Sequence, residues 1–241
     1  MNLKLCHLYP DLMNLYGDRG NILTLEKRCE WRNIDFSVEG ITVGQKLETK
    51  KYDLYFFGGG QDKQQKIVAA DLKRKSGWLK KAAEEGKIFL AVCGGFQLLA
   101  RYYQPFDSPK LWGVGIFDAY TVASNYRCIG NVLIECQIGG EKVKIIGFEN
   151  HSGQTYLGKK CRPLGKVLKG FGNNVKEKKE GGFFKNCFGT YIHGPLLPKN
   201  PKLADYLISL ALEQKYGKKI ELKKLDDSLE NLAFEKVLKI I

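Results

Sequence analysis

The sequence lacks the features of a membrane, secreted or metal-binding protein. No apolar run reaches the roughly 18 residues that span a bilayer, and Met1 to Cys6 lead into a strand-like pattern without a signal-peptide core. The 7 cysteines form no CxxC pair and only 3 histidines accompany them, which excludes a disulfide framework and a zinc knuckle. We therefore expect a cytoplasmic protein that has no transmembrane segment and binds no metal.

The positive charge does not indicate a nucleic-acid-binding protein. The 241 residues carry a formal net charge of +13, and the lysines are scattered along the chain. Their excess is clearest in residues 159–185, whose Gly and Asn content predicts an exposed loop or hairpin and not a groove-reading helix. This stretch is either a solvated surface or an anion-binding patch. Since 44% of the residues are hydrophobic, the chain can bury a core, which excludes intrinsic disorder.

Strands and helices alternate through residue 101, which predicts an α/β fold. Apolar strands are expected at residues 3–8, 34–38, 52–57 and 87–92. Asn21 is placed to cap the first helix, and the second spans about 64–85. Strands that alternate with helices pair in parallel through right-handed crossovers. We therefore predict a mostly parallel central sheet flanked by helices.

The pattern changes after Trp112. Short strands without long helices between them are expected at residues 114–119, 131–137, 143–148 and 188–192. They predict an antiparallel extension of the sheet in the C-terminal half. A helix is expected at 200–216, and an amphipathic segment at 226–240 closes the chain. Residues 1–241 are predicted to form a single domain with a C-terminal helical tail at about 218–241.

Cys93 lies where a predicted strand meets a helix that begins with two glycines. A tight turn there projects the side chain from the carboxyl edge of the sheet, and a helix N-terminus favours the thiolate form of a cysteine. The amide of Gly94 points to the place where an oxyanion would form. Position alone fits a buried structural cysteine as well as it fits a nucleophile.

His193 and a glycine triplet add to this pattern. His193 ends another predicted strand and precedes Gly194, so its imidazole can reach a neighbouring thiol. The triplet at 58–60 follows a strand and faces the same crevice, where bare amides can donate to an oxyanion. It has neither the Gly-Lys-Ser/Thr of a phosphate loop nor GxGxxG spacing. Cys93 and His193 therefore form a candidate catalytic dyad.

Several separated motifs, taken together, resemble the class I (triad) glutamine amidotransferases. The glycine triplet, the elbow CGGFQ at 93–97 and YIHG at 191–194 carry the resemblance. Residues 147–155, GFENHSGQT, look like a segment of the cobyric acid synthase-like (CobB/CobQ-like) branch. Residues 9–21 resemble the opening of one subgroup, the GatD glutaminase subunits of lipid II isoglutaminyl synthase. The resemblance covers nearly the whole chain and implies a flavodoxin-like α/β fold.

The resemblance also implies roles for particular residues. It makes Cys93 the nucleophile, His193 the base, Arg127 the ligand of the glutamine carboxylate, Gly60 and Gly94 the oxyanion donors, and Gln97 a residue lining the substrate pocket. Arginine suits its role because a guanidinium binds a carboxylate through two parallel hydrogen bonds. His151 is expected to be structural or pocket-lining.

One departure concerns the acid that orients the base. Many class I enzymes have a glutamate two positions after the histidine, where this chain has Pro195. Either the dyad works alone or the carboxylate comes from elsewhere, and the resemblance implies an aspartate of a partner subunit. On that basis, the isolated chain would hydrolyse glutamine slowly or not at all.

The function implied by the resemblance is that of a glutaminase subunit in a heterodimer with a MurT-like Mur ligase. It would hydrolyse L-glutamine through a cysteine thioester and pass ammonia to the ligase, which amidates the D-glutamate of the lipid II stem peptide in peptidoglycan synthesis. No cofactor is expected in this chain, because it lacks a Walker-type nucleotide loop. ATP and Mg would be used by the partner, whose lipid substrate would bring the complex to the inner face of the membrane.

Other functions remain open at this stage. The same glutaminase chemistry can serve another acceptor, such as a corrinoid carboxylate. A peptidase-like or redox cysteine protein can be built on the same sheet, but it would not require Arg127 or the glycine triplet. A non-catalytic regulatory subunit is disfavoured by the presence of both Cys93 and His193.

Overall fold

The computed structural model describes residues 1–15 and 17–240. Tyr16 of the amino-terminal motif and Ile241, the last residue of the predicted domain, lie outside the described residues. The helices are α1 (Arg19–Glu30), α2 (Asp62–Glu84), α3 (Gly94–Leu99), α4 (Pro201–Tyr216) and α5 (Ser228–Ile240). The strands are β1 (Asn2–Leu8), β2 (Asp35–Ile41), β3 (Leu54–Phe57), β4 (Ile88–Val92), β5 (Tyr102–Gln104), β6 (Leu111–Trp112), β7 (Ala119–Val122), β8 (Cys128–Ile138), β9 (Glu141–His151), β10 (Gln154–Leu157), β11 (Gly165–Lys169), β12 (Lys179–Glu180), β13 (Gly182–Phe184), β14 (Cys187–Thr190) and β15 (Ile192–His193).

A six-stranded sheet with the order β13-β14-β4-β3-β1-β2 forms the centre of the fold. All its neighbours are parallel except the β13–β14 pair. The strands β3 and β4 are buried at every position, as expected for apolar runs in a sheet covered on both faces. Helices α1 and α4 pack together, and α2 packs against α3. The predicted α/β architecture, a mostly parallel sheet flanked by helices, is confirmed.

The second half forms two further sheets. One has the order β10-β7-β5-β6, and the other has the order β12-β11-β8-β9-β15 with antiparallel pairing throughout. The predicted antiparallel character of this half is therefore correct. These strands lie mostly in sheets of their own, however, and only β13 adds an antiparallel strand to the central sheet.

Three local predictions were wrong. Residues 114–118 form no strand, because the amides of Val114 and Ile116 donate to the carbonyls of Leu98 and Leu99 and hold this segment against α3. The strand predicted at 188–192 is divided between β14, which is parallel to β4, and β15, which pairs with β9. Asn21 lies inside α1 and does not cap it; its Oδ1 accepts a hydrogen bond from the amide of Leu197.

The carboxyl ends of neighbouring parallel strands meet at one edge of the central sheet. In the sheet order β14-β4-β3-β1, these ends lead to His193, to Cys93, to the glycine triplet and to the loop that carries Asp18. Segments far apart in sequence are therefore adjacent in space. Open α/β sheets place their ligand sites in such a crevice.

Candidate active site

Cys93 sits on a strained turn between β4 and α3. Its φ is +49° and its ψ is −107°, a conformation that residues with a side chain rarely adopt. The amide of Cys93 donates to the carbonyl of Thr190 at 2.8 Å, which ties the turn to the end of β14. A Cβ at Gly95 would lie 3.0 Å from the Gly58 carbonyl oxygen, so only glycine allows α3 to approach the triplet this closely. Strain held by such packing is typical of a nucleophile elbow.

His193 is buried beside Cys93. A Cβ built on Gly59 would lie 3.2 Å from His193 Cε1 and 3.6 Å from Cys93 Cβ, so both side chains border this glycine. Burial alone would lower the pKa of His193, but the charge of Cys93 and hydrogen bonds to Asp18 and Cys93 raise that pKa to about 10. The site therefore favours the protonated, imidazolium form of His193.

The acid beside His193 comes from this chain. Asp18 Oδ1 lies 3.4 Å from His193 Nδ1, and Asp18 Oδ2 accepts a hydrogen bond from the Gly59 amide at 2.6 Å. Both side chains are almost fully enclosed, at 0% exposure for Asp18 and 1% for His193. The sequence had left open whether such a carboxylate is present, and the family resemblance had implied one from a partner subunit. In the structure the position next to Nδ1 is already occupied by Asp18, at the N-terminus of α1.

The predicted oxyanion donors also meet. A Cβ on Gly94 would lie 2.9 Å from the amide nitrogen of Gly60, which places the two glycines side by side next to Cys93. Gln65 fixes this arrangement, because its Nε2 donates to the Gly60 carbonyl at 3.0 Å. Backbone amides placed beside a nucleophile are the usual donors of an oxyanion hole.

Gln97 belongs to a buried hydrogen-bonded network that also contains Gln65. Its Oε1 accepts from Gln65 Nε2 at 3.1 Å, and its Nε2 donates to the Tyr191 hydroxyl at 3.1 Å. That hydroxyl also bonds to the hydroxyl of Thr155 at 2.5 Å. Every member is at most 4% exposed, and hydrogen bonds in such a buried chain strengthen one another.

A cavity of about 450 Å³ opens above Cys93 and contains the remaining predicted site residue, Arg127. Arg127 lies in the loop before β8, and its Nε donates to Asn150 Oδ1 at 2.8 Å. His151 lines the same cavity. Its Nδ1 lies 2.9 Å from the Gly153 carbonyl oxygen, and its ring stacks on Tyr191 at 3.8 Å between centroids.

The other cysteines differ from Cys93 in their surroundings. Burial raises the pKa of each of them, namely Cys6, Cys29, Cys128, Cys136, Cys161 and Cys187. Thiols of this kind are poor nucleophiles at neutral pH.

The CobB/CobQ-like glutamine amidotransferase domain matches residues 4–201 of this sequence. The chain belongs to this family. The family identity agrees with the geometry of the site, in which a cysteine, a histidine and two adjacent glycines lie at one sheet edge. The chain is thus a glutamine amidotransferase, and the prediction that it is a glutamine-hydrolysing enzyme is confirmed.

Relatives of this amidotransferase include GatD subunits and cobyric acid synthases. Two subunits named GatD of lipid II isoglutaminyl synthase (glutamine-hydrolyzing) are each 41% identical over 228 residues. The one from Streptococcus pneumoniae aligns over 94% of this chain and 87% of its own length, and the one from Staphylococcus aureus over 95% and 91%. A probable cobyric acid synthase of Methanococcus maripaludis is 33% identical over 72% of this chain, which spans 37% of that protein.

A solved structure described as a glutamine amidotransferase has the same fold. Its TM-score is 0.56 at 14% identity, and the match covers 86% of this chain and 98% of the other. This likeness concerns the fold alone.

The structure also adds residues to the candidate site of the amidotransferase that the motifs had not assigned. Asp18 stands within the amino-terminal motif, and Gln65 lies only five positions after Gly60. The signal that would have suggested Asp18 is an aspartate followed by arginine and glycine in a loop after an apolar strand. No spacing rule on the sequence would have suggested Gln65.

Proposed function

We propose that this chain is a glutaminase subunit that hydrolyses L-glutamine through a thioester on Cys93 and supplies the ammonia to an ATP-dependent ligase. The observation that carries the proposal is that Cys93, Gly60 and Arg127 line one cavity, while His193 and Gly94 lie directly beside Cys93 and Gly60. Free glutamine needs a group for its α-carboxylate, and the guanidinium of Arg127 is suited to it.

The reaction begins with attack of the Cys93 thiolate on the side-chain amide carbon of glutamine. The carbonyl π electrons move to the oxygen, and the amides of Gly60 and Gly94 donate hydrogen bonds to the resulting oxyanion. Each such donor lowers the barrier by roughly 3 kcal/mol in comparable sites. The His193 imidazolium then gives its proton to the amide nitrogen, the C–N bond breaks, and ammonia leaves behind a glutamyl thioester.

Hydrolysis of the thioester reverses these roles. The neutral His193 takes a proton from water, and the hydroxyl attacks the thioester carbon. The C–S bond breaks, glutamate departs, and Cys93 returns as the thiolate beside a protonated histidine. These steps are proton and acyl transfers that side chains and backbone amides carry out, so we propose that this half-reaction uses no cofactor.

Asp18 acts in this scheme as a positioning residue. By accepting from His193 Nδ1 it would keep Nε2 directed at the thiolate and would stabilise the imidazolium, as the aspartate does in serine hydrolase triads. The Gly59 amide holds the carboxylate in turn. The arrangement supports a chain that carries its own orienting acid.

For the final acceptor we propose the D-glutamate of the lipid II stem peptide, with a MurT-like Mur ligase as the partner that uses ATP and Mg. The two GatD relatives, aligned over nearly all of this chain, support this acceptor. A corrinoid carboxylate is the second candidate, because cobyric acid synthases also match. The described helices include none with the length and apolar character needed to cross a bilayer. We propose a cytoplasmic complex that meets its lipid substrate at the inner face of the membrane.

An isotope experiment tests this proposal. The chain is co-purified with a Mur-ligase-like partner and supplied with amide-¹⁵N-glutamine, ATP and Mg, and with either lipid II or a cobyrinic acid diamide. Mass spectrometry should find ¹⁵N in the lipid II stem peptide and none in the corrinoid. Label in the corrinoid alone would replace the acceptor and leave the glutaminase assignment intact, whereas no glutamate release in either reaction would contradict the glutaminase assignment.

A further inference from the structure

The ammonium group of the substrate has no assigned partner in the site described so far. Free L-glutamine is a zwitterion, and Arg127 accounts only for its carboxylate. An ammonium group taken from water into a cavity needs acceptors, preferably charged ones. The following inference rests on the proposed function, because it concerns the recognition of the same substrate.

Asp62 is the one carboxylate among the described residues that line the cavity above Cys93. It is the first residue of α2 and directly follows the glycine loop and Gln61. The Tyr103 hydroxyl lies 3.3 Å and 3.4 Å from the two Asp62 oxygens, and Tyr103 lines the cavity as well. Asp62 remains exposed, so its carboxylate keeps lone pairs available for a further donor.

Other side-chain acceptors on the cavity wall are uncharged, and several of them are already engaged or buried. Gln97 Oε1 accepts from Gln65 Nε2, and Asn150 Oδ1 accepts from Arg127 Nε. The single side-chain oxygen of Gln65, Oε1, is buried. Lys63, next to Asp62, is itself a cation and would repel an ammonium group. Asp62 is therefore the acceptor best suited to a positive group by both charge and access.

We propose that Asp62 binds the α-ammonium group of glutamine, with the Tyr103 hydroxyl holding the carboxylate in place. Asp62 and Arg127 then read the two ends of the zwitterion from different elements of the fold, α2 and the loop before β8. This pairing selects a free α-amino acid against peptide-bound glutamine or a glutamine without its amino group. A charge-assisted hydrogen bond of this type changes binding by about 10- to 100-fold.

A substrate and variant cycle tests the proposal. Hydrolysis of L-glutamine and of glutaramate, which is glutamine without its α-amino group, is measured for the wild type, Asp62→Asn and Asp107→Asn in the complex. Asp107 is an exposed aspartate outside the cavity and serves as the matched control. Asp62→Asn should lower kcat/KM for glutamine about 10-fold or more, chiefly through KM, and should leave glutaramate hydrolysis within 2-fold. Asp107→Asn should change neither.

A second readout needs no partner and no turnover. Alkylation of Cys93 in the isolated chain is timed with diazo-oxo-norleucine, which carries the α-ammonium group, and with iodoacetamide, which does not. Asp62→Asn should slow the first reaction about 10-fold and leave the second unchanged. A rate loss of equal size with both reagents, or none with either, would overturn the role of Asp62.

The same measurements separate this inference from the proposed function. A wild type that hydrolyses glutamine, with an Asp62→Asn variant indistinguishable from it, contradicts only the ammonium site. A wild type that releases no glutamate and reacts no faster with diazo-oxo-norleucine than with iodoacetamide contradicts both.

Discussion

Replacement of Asp18 by asparagine tests how His193, the proposed base, is held. Both oxygens of Asp18 face donors: Oδ2 accepts from the Gly59 amide at 2.6 Å, and Oδ1 lies 3.4 Å from His193 Nδ1. Asparagine has the same shape but offers one oxygen and one NH₂ group. Whichever way the amide turns, the NH₂ group faces one of these two partners.

The size of the effect follows from which partner loses its acceptor. If the NH₂ group faces His193, Nδ1 must become an acceptor and the proton moves to Nε2, which is the wrong tautomer for a base. The same substitution in serine hydrolase triads lowers kcat by about 10⁴. If it faces Gly59 instead, the triplet loses a buried hydrogen bond, at a cost of about 1–3 kcal/mol in unfolding free energy. We expect kcat to fall by about 10² to 10⁴, since the His193 contact is long.

The assay compares glutamate release by the wild type, Asp18→Asn and Asp11→Asn, each alone and in complex with the ligase partner. Asp11 is an exposed aspartate of the same loop and controls for a general change in charge. Thermal unfolding of each variant separates loss of catalysis from loss of the fold. If Asp18→Asn keeps kcat within 2-fold of the wild type in the complex, a carboxylate from the partner orients His193 and our reasoning is refuted.

Further predictions concern other parts of the site. Arg127→Lys should raise KM for glutamine about 10-fold or more with a smaller effect on kcat, because lysine cannot make the paired contact with a carboxylate. Unchanged kinetics would show that Arg127 is a surface cation without a role in glutamine binding. Gly94→Ala should lower kcat at least about 10-fold, since its Cβ would crowd the Gly60 amide nitrogen at 2.9 Å, and a variant of wild-type activity would show that this amide does not bind the oxyanion. Cys93→Ala should lower the pKa of His193 from about 10, because the charge of Cys93 is the largest cause that raises it, so the imidazole should lose its proton at lower pH in an NMR titration. A midpoint that stays near that of the wild type would show that Asp18 alone raises this pKa.

The parallel half of the fold could be predicted because its strands are short apolar runs bounded by glycines. Residues 52–57 and 87–92 anticipate β3 and β4 closely, and the turn at Cys93 follows directly from them. The second half could not be read in the same way. Residues 114–118 are held against the end of α3 by backbone hydrogen bonds. Burial that arises in this way leaves no regular hydrophobic period in the sequence.

The candidate site likewise has a part that the local sequence predicts and a part that it does not. Cys93 and His193 lie at strand ends, where the glycine that follows each of them indicates a turn in the sequence. The Asp18–His193 contact joins residues 175 positions apart, and only the order of β14, β4, β3 and β1 in the sheet brings them together. To predict the Asp18–His193 contact, one would need the order of the strands in the sheet as well as the motifs. The position of Gly60 likewise depends on Gln65, a residue of α2 whose Nε2 donates to the Gly60 carbonyl.

Trapping of the isolated wild-type chain with diazo-oxo-norleucine, followed by intact-mass analysis and peptide mapping, tests the central claim most directly. The account predicts a single adduct on Cys93 that forms faster than alkylation by iodoacetamide and that excess L-glutamine slows. The other cysteines should stay unlabelled, because burial raises the pKa of each of them. Labels spread over several cysteines, or an adduct that forms equally fast in the presence of glutamine, would contradict the assignment of Cys93 as the nucleophile of a glutamine-binding site.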